Sequence, residues 1–565
     1  MPDDVAGDLA VTTPTTTPTT TPTKTRTVWR RPCLGGVIGG AIGYANALTP
    51  SLLPTALTFL LLLTALGTIV GYAIGSTIEW ALLKIPPIRR WRLPRWLPIV
   101  LIALFWIPAL AFTPVAIGWQ LEQQAALDMP EPLPGSLILS LATLAIATLM
   151  LLLGRSIRAG SNRLARLFGR WIRIGQVWLR LATAVALVVL AGVAISSGLS
   201  WLVSTYDVTN ADTTGQSPTD LGINSGSAGS LTPWDTLGRE GRFYVGNTMT
   251  PADITGITGR PAQTPVRVYV GMEQGDTPQA RTSLALEELD RVDAWSREYL
   301  VIFGVTGTGW VDPNAINALE AVTDGNVTTV AVQYSAVPSW IGFVIDPQTT
   351  VDQNADTIDG VLAAWREKPA DQRPELILFG QSLGSLGTQG AWTADATPED
   401  VVREIPHVIW MGPPAESVLW KSWQAGRTGG PAWEPIVGDG TITRVIVSQD
   451  DPDALEQKPA PTIVFAAHAN DPVVYWSPDL LLNKPDWLNP PLGPGVMPQM
   501  RWIPFITFLQ VGMGLISGGE PPEVGHNYSA NMALAIALGV QPDGWTVEQS
   551  LDLQAALPEF RYQTG

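Results

Sequence analysis

Two patterns of apolar residues divide this chain. In the first third, five uncharged windows (33–54, 55–78, 96–121, 133–154 and 181–206) each run for 22 residues or more. Such runs are long enough to cross a hydrocarbon core of about 30 Å as helices. The first window is rich in glycine and ends in Leu48-Thr-Pro-Ser-Leu-Leu-Pro54, so it reads either as a full span or as a broken, re-entrant piece. After residue 240 the pattern changes. Short apolar runs at 266–270, 300–305, 328–333, 376–379, 408–411 and 462–466 predict strands. Amphipathic stretches between them, such as 284–295 and 355–365, predict helices. Alternation of this kind predicts an α/β domain whose sheet is mostly parallel, with helices on both faces.

Charge sharpens the division. Residues 1–206 carry a net charge of +9 and residues 207–565 a net of −25. Lys24, Arg26, Arg30 and Arg31 precede the first window, and Lys84, Arg89, Arg90, Arg92 and Arg95 lie between the second and third. Seven arginines, from Arg155 to Arg180, separate the fourth from the fifth. The connection between the third and fourth carries only Glu122, Asp128 and Glu131. Positive connections stay in the cytoplasm. The expected topology is therefore a cytoplasmic N-terminus, an outer 122–131 loop, and everything after 206 outside. The expected organisation is a disordered Thr/Pro tail (1–32), a transmembrane helical domain (33–206), a Gly/Ser/Thr/Asp linker (207–240) and an α/β domain (241–565).

A strongly acidic second half repels phosphates and excludes nucleic acid as a partner. With one cysteine, Cys33, no internal disulfide forms, and His407, His468 and His526 are too scattered for an obvious metal cluster. No metal or organic cofactor is implied.

The chemistry centres on Glu375-Leu-Ile-Leu-Phe-Gly-Gln-Ser382-Leu-Gly-Ser385, an apolar run that stops at Gly-x-Ser-x-Gly. This places a serine on a tight strand-to-helix turn with its hydroxyl exposed. A serine hydroxyl needs a base, normally histidine oriented by a carboxylate. In this fold class the chain order is Ser, then Asp or Glu, then His. Asp471 appears just past the apolar run 462–467 and is the candidate acid; Asp450, Asp451 and Asp453 form a rival cluster resembling a solvated turn. The order rule then leaves His526, in Pro521-Pro-Glu-Val-Gly-His526, as base. His407 opens a strand, at the wrong end of a sheet, and His468 is close enough to Asp471 to orient its loop. Candidate oxyanion donors are the amide of Leu383 and that of Gly307 or Thr308, in Phe303-Gly-Val-Thr-Gly-Thr-Gly-Trp310 after what the fold class makes the third strand. A plain Gly-rich turn under Trp310 is the alternative. Residues 472–510, with Trp476, Trp487, Trp502 and many prolines, read as a cap over the site or as ordinary packing.

Taken together, the chain resembles the actinobacterial membrane-anchored α/β-hydrolases. The motifs that carry the resemblance are Leu48–Pro54, Thr306-Gly-Thr-Gly-Trp-Val-Asp-Pro313, Gly380–Ser385, His468-Ala-Asn-Asp-Pro-Val-Val474, Trp476-Ser-Pro-Asp479 and Gly525-His-Asn-Tyr528. The resemblance implies an α/β-hydrolase fold and a serine hydrolase with Ser382, Asp471 and His526 as triad, of unassigned substrate. The expected activity is cleavage of an ester or thioester of a small-molecule or lipid acyl substrate by an outward-facing enzyme. Acyl transfer by the same triad, a silent binding or scaffold module, and a channel or transporter are the other readings.

Overall fold

The computed structural model describes residues 33–85, 94–168, 176–213, 216–218, 221–448, 460–516 and 520–557. The Thr/Pro tail, Arg89, Arg90, Arg92, Arg170 and Arg173, and the rival cluster Asp450, Asp451 and Asp453 lie outside the described residues.

The N-terminal part is helical: α1 (Leu34–Ala47), α2 (Leu57–Leu82), α3 (Leu97–Ala126), α4 (Ser136–Phe168) and α5 (Gln176–Ala211). Among the described residues, three stretches, within α2, α3 and α4, are long and apolar enough to cross a membrane. At 1.5 Å per residue α1 covers only about 21 Å, and the first window breaks after it into the irregular segment 48–56. The outward surface is apolar: Ile99, Ile107 and Leu137 are each at least 66% exposed, which water would not tolerate over so large a continuous area.

α1 and α2 pack antiparallel through glycines, with Gly35, Gly39 and Gly43 against Gly75, Gly71 and Gly67. Side-chain-free faces let the two backbones touch, the usual route to tight helix packing where no hydrophobic effect operates. Polar side chains tie the other helices on. The Tyr44 hydroxyl shares hydrogen bonds with Thr113 Oγ1 (2.9 Å) and Ser140 Oγ (2.8 Å), and Trp106 Nε1 donates to Val37 O (3.0 Å).

The second part is a seven-stranded sheet, parallel throughout: β1 (Val266–Val270), β2 (Tyr299–Gly304), β3 (Val327–Val332), β4 (Glu375–Gln381), β5 (His407–Met411), β6 (Thr443–Ile446) and β7 (Ile463–Ala466), in the order β1-β3-β2-β4-β5-β7-β6. The expected α/β class is borne out, and β6 is a strand the apolar pattern did not single out. The Gly-rich loop follows the second strand here rather than a third. Both faces are covered, so the strands are apolar at successive positions. In β2, Leu300 and Ile302 enter one core, with Trp410 and Phe465; Val301 and Phe303 enter the other, with Ile536 and Leu538.

The stretch expected as a linker carries structure at both ends, since α5 runs on to Ala211 and residues from 221 onward bond to the sheet. Asn224 Oδ1 accepts from Arg267 N (3.0 Å), and Ser225 N donates to Arg267 O (3.1 Å). The helix Gly238–Gly246 follows, and its Tyr244 carbonyl accepts from Arg267 Nη1 (2.6 Å). Arg267 is fully buried and pairs with Glu320 (2.6 Å), so edge strand, linker and helix Pro313–Val322 close on one another.

Placing a branched side chain at Gly71 tests the helix contact, because a Cβ there would lie 2.9 Å from the Gly39 carbonyl carbon. Gly71→Val should destabilise by at least about 1–3 kcal/mol, read as a lower thermal unfolding midpoint in detergent. Gly118→Ala on α3, where a Cβ meets nothing within 4 Å, should be neutral.

Candidate active site

β4 is the middle strand, and between β2 and β4 the order of the strands reverses. Loops at the carboxyl ends diverge there and leave a crevice. Ser382 stands at that point, between β4 and the helix Leu383–Gln389, with φ 54° and ψ −124°. A non-glycine residue rarely holds positive φ unless its surroundings enforce it. Here Ser382 N donates to Met411 O (2.8 Å), and a Cβ on Gly384 would collide with the Gly304 carbonyl. The glycine two residues after the serine thus lets the elbow press against β2.

Asp471 follows β7 and is completely buried. Its Oδ2 lies 2.7 Å from His526 Nδ1 and accepts from the Tyr528 hydroxyl (2.6 Å); its Oδ1 accepts from Val473 N (2.7 Å). Burial pushes the Asp471 carboxyl up, but the His526 charge and these three donors outweigh it and hold it below the usual range. Burial pulls the His526 imidazole down, and Asp471, reinforced by Glu520, more than reverses this, leaving it above 6.5. The far nitrogen, His526 Nε2, is buried with no hydrogen-bond partner among the described residues. Ser382 and His526 line one cavity of about 340 Å³, with Thr306, Trp310, Ser339 and Glu520.

His468 is buried beneath this pair. Its Nδ1 lies 2.9 Å from Gly525 O, and its Nε2 lies 3.0 Å from Asn531 Nδ2. A carbonyl on one side and an amide on the other fix the neutral tautomer with the proton on Nδ1. Burial lowers its pKa in the same direction. His407 opens β5, between Gly539 O (2.6 Å) and Glu375 Oε1 (2.7 Å), at the opposite end of the sheet.

The Gly-rich loop and the segment 472–510 sit beside the serine cavity as follows. The Gly307 amide donates to Ser339 Oγ (3.1 Å), and Thr308 offers its carbonyl to Gln333 Nε2 (2.8 Å). Neither lines the serine cavity, whereas Thr306 and Ser339 do. Leu383 begins the helix, where backbone amides lack intrahelical partners. The segment 472–510 also stays off the described cavity wall. Its tryptophans are packed and bonded inward, Trp476 Nε1 to Phe508 O (3.2 Å) and Trp502 Nε1 to Leu480 O (3.0 Å), while Trp487 stacks near Tyr475. Tyr528, Ser339 and Glu520 are site residues that sequence reasoning missed. Tyr528 stood inside the Gly-His-Asn-Tyr motif with no role attached; Ser339 and Glu520 gave no signal.

Comparison with known proteins agrees with this geometry. Residues 266–553 match the model of an alpha/beta-hydrolase family, and residues 48–248 match the model of that family's N-terminus. The chain belongs to this alpha/beta-hydrolase family. No curated protein and no solved structure matches. Membership supports a hydrolase-type function, and the N-terminal match begins at Leu48, within the turn after α1.

The raised His526 pKa has a direct kinetic consequence. As a candidate base the imidazole must be neutral to take a proton, so the acid limb of kcat/KM should lie higher than for an ordinary histidine. Asp471→Asn removes the main upward influence and should move that limb to lower pH, while kcat drops by about 10⁴-fold. A pH–rate series on both proteins measures it.

Proposed function

We propose that this chain is a membrane-anchored serine hydrolase whose catalytic domain faces out of the cytoplasm and cleaves an ester or thioester bond. The observation that carries the reading is the buried Asp471–His526 pair at 2.7 Å, its free imidazole nitrogen in the same cavity as a serine on a strained elbow. Ser382 Oγ attacks the carbonyl carbon as His526 Nε2 takes its proton, and Asp471 stabilises the resulting imidazolium. His526 then returns the proton to the leaving oxygen or sulfur. Water, deprotonated by the same nitrogen, attacks the acyl-enzyme, the bond to Ser382 Oγ breaks as His526 returns that proton to it, and the acid is released. The Leu383 amide, at the start of the helix that follows Ser382, is the oxyanion donor.

Anchoring is supported by three sufficiently long apolar stretches and by the apolar surface they present. The outward orientation rests on the distribution of arginines along the connections. A small-molecule or lipid acyl substrate fits both the site and its address.

A fluorophosphonate probe applied to membranes should label the wild type and fail to label Ser382→Ala. Equal labelling of the two would remove the serine mechanism. A reporter fused after Gly565 should be active only outside the cytoplasm.

A further inference from the structure

The turn between α1 and α2 does not end in solvent or lipid. Leu52 is fully buried in the catalytic domain, in the same core as Trp410 and Phe465. Leu53 is 3% exposed and packs with Leu127 and Val524. Its Cδ1 would stand 2.9 Å from a Cβ built on Gly525, a residue with φ +57° that immediately precedes His526. On its other side Gly525 is held by the loop that carries Asp471: its N–H donates to Asn470 Oδ1 (3.1 Å), and its carbonyl faces His468 Nδ1 (2.9 Å). The backbone that presents the imidazole is therefore gripped between the acid's loop and the N-terminal helical domain.

We infer that the α1–α2 turn is a positioning element for the catalytic base, with Leu53 fixing the Gly525 backbone from which His526 reaches Asp471 and Ser382. This rests on the proposed role of His526. The turn is stiff enough for the task. Pro50 and Pro54 restrict it, and its exposed backbone groups are taken up by α3: Gln123 Nε2 donates to Ser51 O (2.9 Å) and Leu52 O (3.2 Å), and Thr55 N donates to Gln120 Oε1 (3.1 Å). Glu131, in the α3–α4 connection, accepts from Leu57 N (3.1 Å) at the start of α2. A tilt of α3 against α2 therefore reaches the base through two hydrogen-bonded glutamines and one leucine. A single span could tether the enzyme but could not hold this turn. The rate of the enzyme is coupled to the packing of its helices, and hence to the bilayer around them.

A second docking contact provides the control. Ile506 packs on Ala47 and Leu63, and Gln510 Nε2 donates to Thr49 O (2.7 Å), without touching residues 524–526. Among the described residues, the charged and titratable groups around His526 are Asp471, Glu520, His468 and Tyr528, and none of them is altered by the test. Full-length wild type, Leu53→Ala, Leu53→Met and Ile506→Ala are compared in bilayer nanodiscs with a p-nitrophenyl ester and with fluorophosphonate labelling. Leu53→Ala should lower kcat about 10- to 100-fold, the scale of a displaced catalytic group. KM should stay within about twofold of wild type, since the residue lies behind the base, away from bound substrate. The acid limb should move to lower pH as the ring leaves Asp471. Leu53→Met should restore most of the rate, and Ile506→Ala should leave the limb in place. Should Leu53→Ala not fold, judged by thermal unfolding, Leu127→Ala on the same Val524 contact should show the same shift, smaller. An unchanged kcat and limb in the Leu53 or Leu127 variant, or an equal shift in Ile506→Ala, overturns the inference and leaves the hydrolase reading intact. A wild type that neither labels nor turns over the ester overturns both.

Discussion

A fully buried carboxylate is the constraint on which the rest of this site depends. An ionised Asp471 with no exposure would destabilise the fold by several kcal/mol without partners. It can stay charged only because three donors converge on it: the Val473 amide, the Tyr528 hydroxyl and the His526 imidazole. The first is local to the turn after β7, but the other two come from a segment more than fifty residues later. That segment is fixed in turn by the acid's own neighbours. The Tyr528 hydroxyl accepts from His468 N (3.2 Å), His468 stacks on the Tyr528 ring at 4.2 Å, and Asn470 and His468 hold Gly525. Satisfying one charge therefore closes a circuit that also fixes the His526 imidazole.

The serine reaches this circuit through the sheet. Because all seven strands are parallel, their carboxyl ends lie along one edge, and the backbone steps across it from Ser382 N to Met411 O and from Gly412 N to Ala466 O. Gly412, at the middle of that path, lies directly under the imidazole: a Cβ there would sit 2.6 Å from His526 Cε1. Ser382 and the His526 imidazole are thus both referred to one run of main chain.

Much of this could be read from the sequence, for physical reasons that differ residue by residue. Six strands announced themselves because a strand buried on both faces is mostly apolar, even where one member is charged, as Arg267 is in β1. β6 did not, since Thr443-Arg-Val-Ile446 holds only two apolar residues in four. Ser382 was legible from the glycines its elbow requires, Asp471 from its place beyond a strand end, and His526 from the scarcity of histidine. Ser339 was not, because its contact with Gly307 spans 32 residues and rests on a single hydroxyl. The tryptophans of 472–510 suggested a cap by composition. Composition cannot say whether an indole N–H will meet substrate or, as for Trp476 and Trp502, a nearby carbonyl.

The least legible feature was the destination of Leu52 and Leu53. Within an apolar window, a leucine that enters lipid and one that enters a neighbouring domain have the same hydropathy and neighbours. What distinguishes them is where the backbone polar groups go. In hydrocarbon a turn with two prolines would leave carbonyls unpaired. Here those of Ser51 and Leu52 are met by Gln123, which is itself fully buried in α3. Glutamines inside an otherwise apolar helix are costly unless they satisfy something, and Gln120 and Gln123 both face the turn. The helical domain thus combines an apolar exterior with a polar interior directed at one short segment, and that segment ends against the backbone of His526.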